Sequence, residues 1–396
     1  MKKKYSVLLL LALFTALQVT GQTKKEEKQR KQEVVLDENG KQIFDDVKER
    51  SKIKYNFVPM PFYDPTSKWG ISLINMFNYY PDKNDLVSPP SSTVFAISGT
   101  TNKSLMGGFK QSLYLKEDLW RINAMAFYGQ INSTMLLLED PQEVGSPVVS
   151  VDPATGIFSA NLMVERRVFS RVYVGVGYLF NGRKVEGSNE EERAILQRNG
   201  FSEDWVSAHG LRYSVTFDSR DNIYYPYAGL YFKTNIDQMM GENATNIYTA
   251  DYRQFFTLGD NVSNVLAVHG FGRFVSESAS RNYWSSYGRS GPAVQRGYEQ
   301  GKYMDRNLIT AEAEFRKETP WMNHKLGFVG ALSMGKVFGS NNGSGQSYNF
   351  QDAEWLPAIA LGVRYRLLPY ERMNLKFDYA QGKDGAVFYF GISEAF

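Results

Sequence analysis

Past residue 54 the chain alternates, an apolar or aromatic side chain followed by a polar one, in segments of roughly ten residues. Leu211, Tyr213, Val215 and Phe217 fall on one face of such a segment, and Arg212, Ser214, Thr216 and Asp218 on the other. Leu375, Phe377 and Tyr379 oppose Asn374, Lys376 and Asp378 in the same way. A period of two is the mark of a strand. Soluble strands average about five or six residues, whereas segments of about ten with aromatics near their ends match a tilted span with an aromatic girdle.

About sixteen segments follow this pattern, at 53–63, 69–80, 91–100, 103–115, 119–128, 157–167, 169–180, 207–217, 229–237, 247–258, 265–276, 307–317, 325–335, 357–367, 373–380 and 387–396. The links between them sort by length. Short ones fall at 116–118, around 168, and at 218–228, 259–264, 318–324 and 368–372, while long ones fall at 129–155, 181–206, 277–306 and 338–356. Short periplasmic turns alternating with long outer loops build a transmembrane barrel, and an even strand count leaves both ends in the periplasm. The expected fold is therefore all-β, a transmembrane antiparallel β-barrel of about 16 strands.

The first 54 residues read differently. Lys2 to Lys4 form a basic region, Val7 to Leu17 an apolar one too short to span a bilayer, and Val19 to Gly21 a small-residue cleavage site, so residues 1–22 read as an export signal. Residues 23–54 are highly charged with few apolar positions and are expected to be a periplasmic tether, leaving 55–396 as the barrel domain. Removing the three leader lysines from 45 basic residues leaves 42, equal to the 42 acidic ones. A balanced, scattered charge gives no footprint for nucleic acid. After the leader no run of 18 apolar residues occurs, and the chain has no cysteine. A membrane-spanning chain without such a run must span as a barrel.

Motifs for catalysis are weak. Gly330 to Lys336 fits the start of a phosphate-binding loop, but Val337 replaces the required hydroxyl and no helix follows. His209, His269 and His324 lack metal-ligand spacing. Asp218, Arg220 and Asp221, followed by Pro226 and Gly229, read more simply as a turn capping its own backbone than as a charged catalytic cluster. No enzyme, cofactor or metal is expected. The first strand carries Pro59 and Pro61, which cannot donate ladder hydrogen bonds. If that strand pairs normally with the second, the deficient edge faces the last strand, so the seam is expected to be weak.

Four stretches resemble the BamA/TamA superfamily of outer-membrane assembly proteins, also called the bacterial surface antigen family. Asp218-Ser219-Arg220-Asp221-Asn222, with Pro226 and Gly229, resembles its periplasmic turn motif. Arg296-Gly297-Tyr298, in the stretch Val294 to Glu299, resembles its R-G-F/Y motif in the sixth outer loop, and Glu314-Phe315-Arg316 the strand after it. Arg372 to Tyr379 and Phe388 to Phe396 resemble its last hairpin and C-terminal insertion signal. The resemblance implies that the sixth loop folds into the barrel and that Arg296 latches onto acids of the inner wall. Glu312 and Glu314 alternate onto the polar face and are the candidate partners. The alternative for Arg296 is a solvated loop arginine. Where the family has D-x-G on the next strand this chain has Ser333-Met334-Gly335, and Asp378 is the candidate substitute.

Residues 23–54 are too few for a POTRA domain, so the resemblance is to a barrel-only member. It implies insertion or translocation of proteins at the outer membrane, with a seam of Pro59, Pro61, Phe390 and Phe396. The expected partners are outer-membrane lipid, client outer-membrane proteins and a periplasmic partner. The alternative is a pore or a structural, lipid-perturbing barrel without client handling.

Overall fold

The computed structural model describes residues 52–396 apart from 65–67, 86, 133–134, 144, 242–243, 260–261, 278, 281–282, 291–292, 299–301, 340–348 and 370. The expected signal and all but the last three residues of the expected tether, and Glu299 of the sixth loop, lie outside the described residues.

Sixteen strands form one antiparallel sheet in sequence order. They are β1 (Lys54–Asp64), β2 (Lys68–Tyr79), β3 (Ser91–Thr100), β4 (Leu105–Leu115), β5 (Trp120–Asn132), β6 (Ala154–Phe169), β7 (Val172–Glu186) and β8 (Val206–Asp218). They continue as β9 (Gly229–Met240), β10 (Thr245–Thr257), β11 (Asn264–Val275), β12 (Asn307–Glu318), β13 (Leu326–Phe338), β14 (Ala358–Leu368), β15 (Met373–Gly382) and β16 (Gly385–Ile392). Curled into a nearly closed barrel, the sheet has two distinct faces. Outward positions such as Ile97, Val176, Val215, Leu332 and Leu361 are exposed apolar residues, as a lipid-facing belt requires. Inward positions include the buried Asp251, His269, Glu314 and Asp378. Among the described residues no helix is long and apolar enough to cross a membrane.

The strand count agrees with the sequence, and the differences lie at strand ends. β5 and β6 together extend into the expected loop 129–155, and what remains of it carries its own hairpin, Met135–Leu138 against Val148–Val151. The next outer loop contains helix α1 (Glu190–Arg198), started by Asn189, whose side chain accepts from the Glu192 amide. Ile195 and Leu196 of α1 pack with Val151 of that hairpin and Val185 of β7, so two outer loops share one small apolar core. The turn expected around Val168 falls two residues later, and a register shift near Arg167 absorbs the difference.

The last strand needs correction. It ends at Ile392, not 396, because Ser393 adopts a left-handed backbone (φ 70°) that a ladder cannot continue. The chain then turns into the lumen. Phe396, expected at the seam, is 8% exposed and packs with Phe255, Val265 and Ala267.

Candidate functional site: the lumenal loop, the periplasmic turn and the seam

The sixth outer loop, linking β11 to β12, runs into the barrel. Arg296 at its tip is 1% exposed. Its guanidinium bonds Glu312 and Glu314 of β12, the latter at 2.5 Å, and lies 3.2 Å from Asp378 of β15. Around it Arg316 Nε donates to Glu314 (2.7 Å), and Arg364 of β14 spans Asp378 and Glu394, the latter at 2.6 Å. A buried charge is tolerable only when paired and hydrogen-bonded. Here the cations Arg296, Arg316, Arg364 and Lys376 face the anions Glu312, Glu314, Asp378 and Glu394, so the cluster balances.

The neighbours of Arg296 fix its approach. Gly297 has φ 92°, and a Cβ there would meet the Ala358 Cβ at 2.8 Å, so only glycine fits between the loop and the wall. Its amide donates to the Tyr389 hydroxyl of β16 at 3.0 Å. Tyr298 is buried edge-on to Tyr287 and Tyr303, and its hydroxyl donates to the Pro357 carbonyl at 2.6 Å. The tripeptide thus touches β12, β15, β16 and the start of β14.

The periplasmic turn between β8 and β9 is built by its own side chains. Asp221 accepts from the amides of Tyr227 and Ala228, and Asn222 from those of Tyr224 and Tyr225. Pro226 is buried, and Gly229 (φ 111°) sits where a Cβ would meet the Ser219 carbonyl and the Arg220 Cα. Asp218 accepts from Arg121 (2.9 Å) and Arg220 (2.9 Å). Burial alone would lower the pKa of the Arg220 guanidinium, and the Asp218 carboxylate reverses this and holds it above its ordinary value. The cluster is a structural brace in which Asp218 and Asp221 are each paired with arginine.

From this turn contacts spread across the periplasmic mouth. Tyr224 reaches Asn78 of β2, Tyr227 donates to Glu318 of β12 at 3.0 Å, and Asn222 donates to the Glu371 carbonyl between β14 and β15. Glu371 in turn pairs with Lys54 of β1 at 2.8 Å.

At the seam β1 and β16 come within 8 Å (Cα–Cα), yet no ladder joins them among the described residues, whereas every other neighbouring pair is laddered. Pro59 and Pro61 are both exposed, on the same face of β1 as Tyr55 and Phe57. Phe390 lies outward on β16 against Phe377, ring centroids 4.7 Å apart. Phe396 sits inside, stacked on His269 at 4.7 Å, with its carbonyl 3.4 Å from Arg316.

Of the residues the sequence singled out, the structure brings Arg296 together with Glu312, Glu314 and Asp378, gathers the turn residues into one brace, and separates Phe396 from Pro59, Pro61 and Phe390. Arg364, Glu394, Tyr389 and the Lys54–Glu371 pair were not visible in advance. Arg364 and Asp378 each alternate onto a polar face, but only the register of β14 on β15 sets Gly362 opposite Asp378 and leaves room there for both side chains.

The pattern described as the Omp85 superfamily domain matches residues 94–396. Among solved structures, BamA from Haemophilus ducreyi lacking POTRA domains 1-3 superposes with a TM-score of 0.53 at 11% identity, over 87% of this chain and 75% of that one. CdiB from Acinetobacter baumannii gives 0.56 at 17%, over 86% of this chain and 59% of that one. CdiB from Escherichia coli gives 0.55 at 6%, over 87% and 68%. These similarities concern the fold. No curated protein matches in sequence.

Proposed function

The chain belongs to the Omp85 superfamily and is an outer-membrane β-barrel, and from that premise we propose that it inserts or translocates client proteins at the outer membrane through its β1/β16 seam. The observation that carries this reading is the missing ladder between two adjacent strands, one of which holds Pro59 and Pro61. An edge with unmade backbone bonds is a template for another strand. A client hairpin would add to β1 while the far wall stays intact. Arg296, Gly297 and Tyr298 serve that end: by bonding β12, β15, β16 and the residue before β14 they tie the wall beside the seam into one body. The partners of this activity are client outer-membrane proteins and a periplasmic factor that delivers them.

Depleting the protein and quantifying the outer-membrane proteome tests the reading. One or more barrel proteins should fall in abundance. An unchanged set of barrel proteins, together with steady conductance of the purified protein in bilayers, would leave a passive pore in its place.

A further inference from the structure

Lys336 follows Leu332 and Met334 by twos along β13, and those two face lipid, 65% and 44% exposed. Its side chain therefore starts from the outer face of the wall, yet Lys336 is only 2% exposed. Leu332 is the midpoint of β13, and Lys336 lies about 13 Å further along the tilted strand, near the edge of an apolar band about 25 Å tall. A lysine at that height ordinarily extends its ammonium into the head groups. Here the outer loop between β13 and β14 folds back over it. Nζ donates to the carbonyls of Phe350 and Ala353, the latter at 3.3 Å, and lies 4.1 Å from the centre of the Phe350 ring and 4.4 Å from that of Trp355. The cover is itself organised. Asn349 accepts from the amides of Gln351 and Asp352, and its carbonyl from the Ala353 amide, so residues 349–353 make one turn around the ammonium. Phe350 packs edge-on against Phe338 (5.0 Å) and Trp355 (6.4 Å), and Phe338 against Phe274 (6.4 Å). Phe338 and Phe274 are outward residues of β13 and β11 by the same alternation. The aromatic row thus lies outside the barrel wall, with Phe274, Phe350 and Trp355 between 42% and 48% exposed.

We infer that this segment is a membrane seat: Phe350 and Trp355 of the outer loop rest in the outer leaflet beside Phe338 and Phe274, and Lys336 is the buried tie that holds them there. Two observations favour lipid over water as the occupant. The row is continuous with the lipid-facing Met334 and Leu332 of the same strand. Rings stacked over a buried ammonium also leave their own apolar surface outward, whereas a lysine bound for water needs no such cover. Gln351, Asp352 and Glu354 of the same turn are exposed, and Glu354 pairs with Lys383, so the seat belongs to the interfacial layer and not to the hydrocarbon. The seat bears on the lumen as well. Its segment continues into Leu356 and Pro357, whose carbonyls accept from the hydroxyls of Tyr287 and Tyr298. Lipid gripped outside the wall therefore steadies the backbone against which the sixth loop packs inside it. The inference goes beyond client handling and stands without it.

Fluorescence quenching of Trp355 from the bilayer tests this. The full-length protein is reconstituted in phosphatidylcholine vesicles carrying lipid brominated near the head group or at the chain end. Trp355 emission is read as the difference between each protein and its Trp355→Phe counterpart. Lipid brominated near the head group should quench it strongly, lipid brominated at the chain end less, and iodide in the water least. Lys336→Met should lose most of the bromolipid quenching, gain quenching by iodide, and quicken exchange of the Leu356 amide, which donates to the Gly335 carbonyl at 2.8 Å. Lys336→Arg keeps a cation that can both stack and donate, and should retain the parent pattern. Lys302→Met, in the sixth loop, should change nothing. Heat-modifiable gel mobility checks that each variant is folded, and the Arg variant guards against loss by misfolding. Quenching by iodide alone places the loop in water, and emission that neither quencher reaches places it under another protein. Either overturns the inference, as does bromolipid quenching or Leu356 exchange that Lys336→Met leaves unchanged.

Discussion

Arg296 is the residue on which the inner wall turns. Removing it would leave Glu312, Glu314 and Asp378 facing one another with too few cations. Breaking a buried pair by deleting one partner costs about 3–5 kcal/mol, most of it the uncompensated charge left behind. Arg296→Ala should therefore lower the unfolding temperature and the abundance of the barrel. Arg193→Ala in the helix α1 should do little, since its pair with Glu203 is half-exposed and worth about 0–1 kcal/mol. Equal shifts in the two variants, read by heat-modifiable mobility, would sink the latch. Arg296→Lys should not restore stability, because one ammonium cannot serve three carboxylates on two strands. How much of this site could be foreseen follows from distance along the chain. Glu312 and Glu314 lie in the strand after the loop and their alternation is visible in the sequence, whereas Arg364 and Tyr389 enter through strand register and Glu394 through the turn of the chain into the lumen after β16, which composition does not encode.

At the scale of elements, the turn 219–228 is the piece that crosses the periplasmic mouth. Its Asp, Asn, Pro and Gly are legible as a turn from the sequence, because each acts on backbone a few residues away. Its reach is not legible: contacts of Tyr224, Tyr227 and Asn222 with β2, β12 and the β14–β15 turn span up to 149 positions. The loop hairpin and α1 were likewise missed, since short polar elements inside long loops carry little periodic signal. Asn222→Ala would strip an acceptor from the amides of Tyr224 and Tyr225 and a donor from the Glu371 carbonyl. Hydrogen bonds of this kind are worth about 0.5–1.5 kcal/mol each. Hydrogen exchange should quicken in the turn and also near Glu371 and Lys54, which that carbonyl helps to hold. A change confined to 219–228 would mean that the turn braces only itself.

For the whole molecule, strand number and parity were readable because lipid on one side and lumen on the other impose alternation on every span. The charged cluster that joins the sixth loop to β12, β14 and β15 is a property of strands brought side by side only on closure. So is the seam: two prolines announce a poor edge, but which neighbour the edge lacks is settled by pairing, and β1 pairs fully with β2 from Lys54 to Asp64. The missing bonds are those toward β16. Replacing Pro59 and Pro61 together by Val supplies two amide donors and two strand-forming side chains at exposed positions. A ladder between β1 and β16 should then form, seen as slowed amide exchange in β16 and a higher unfolding temperature. If client strands enter at that edge, the sealed barrel should also fail to sustain the abundance of its client proteins. A variant that gains stability and protection in β16 while client levels hold would separate the two properties, leaving a weak seam that has no part in client handling.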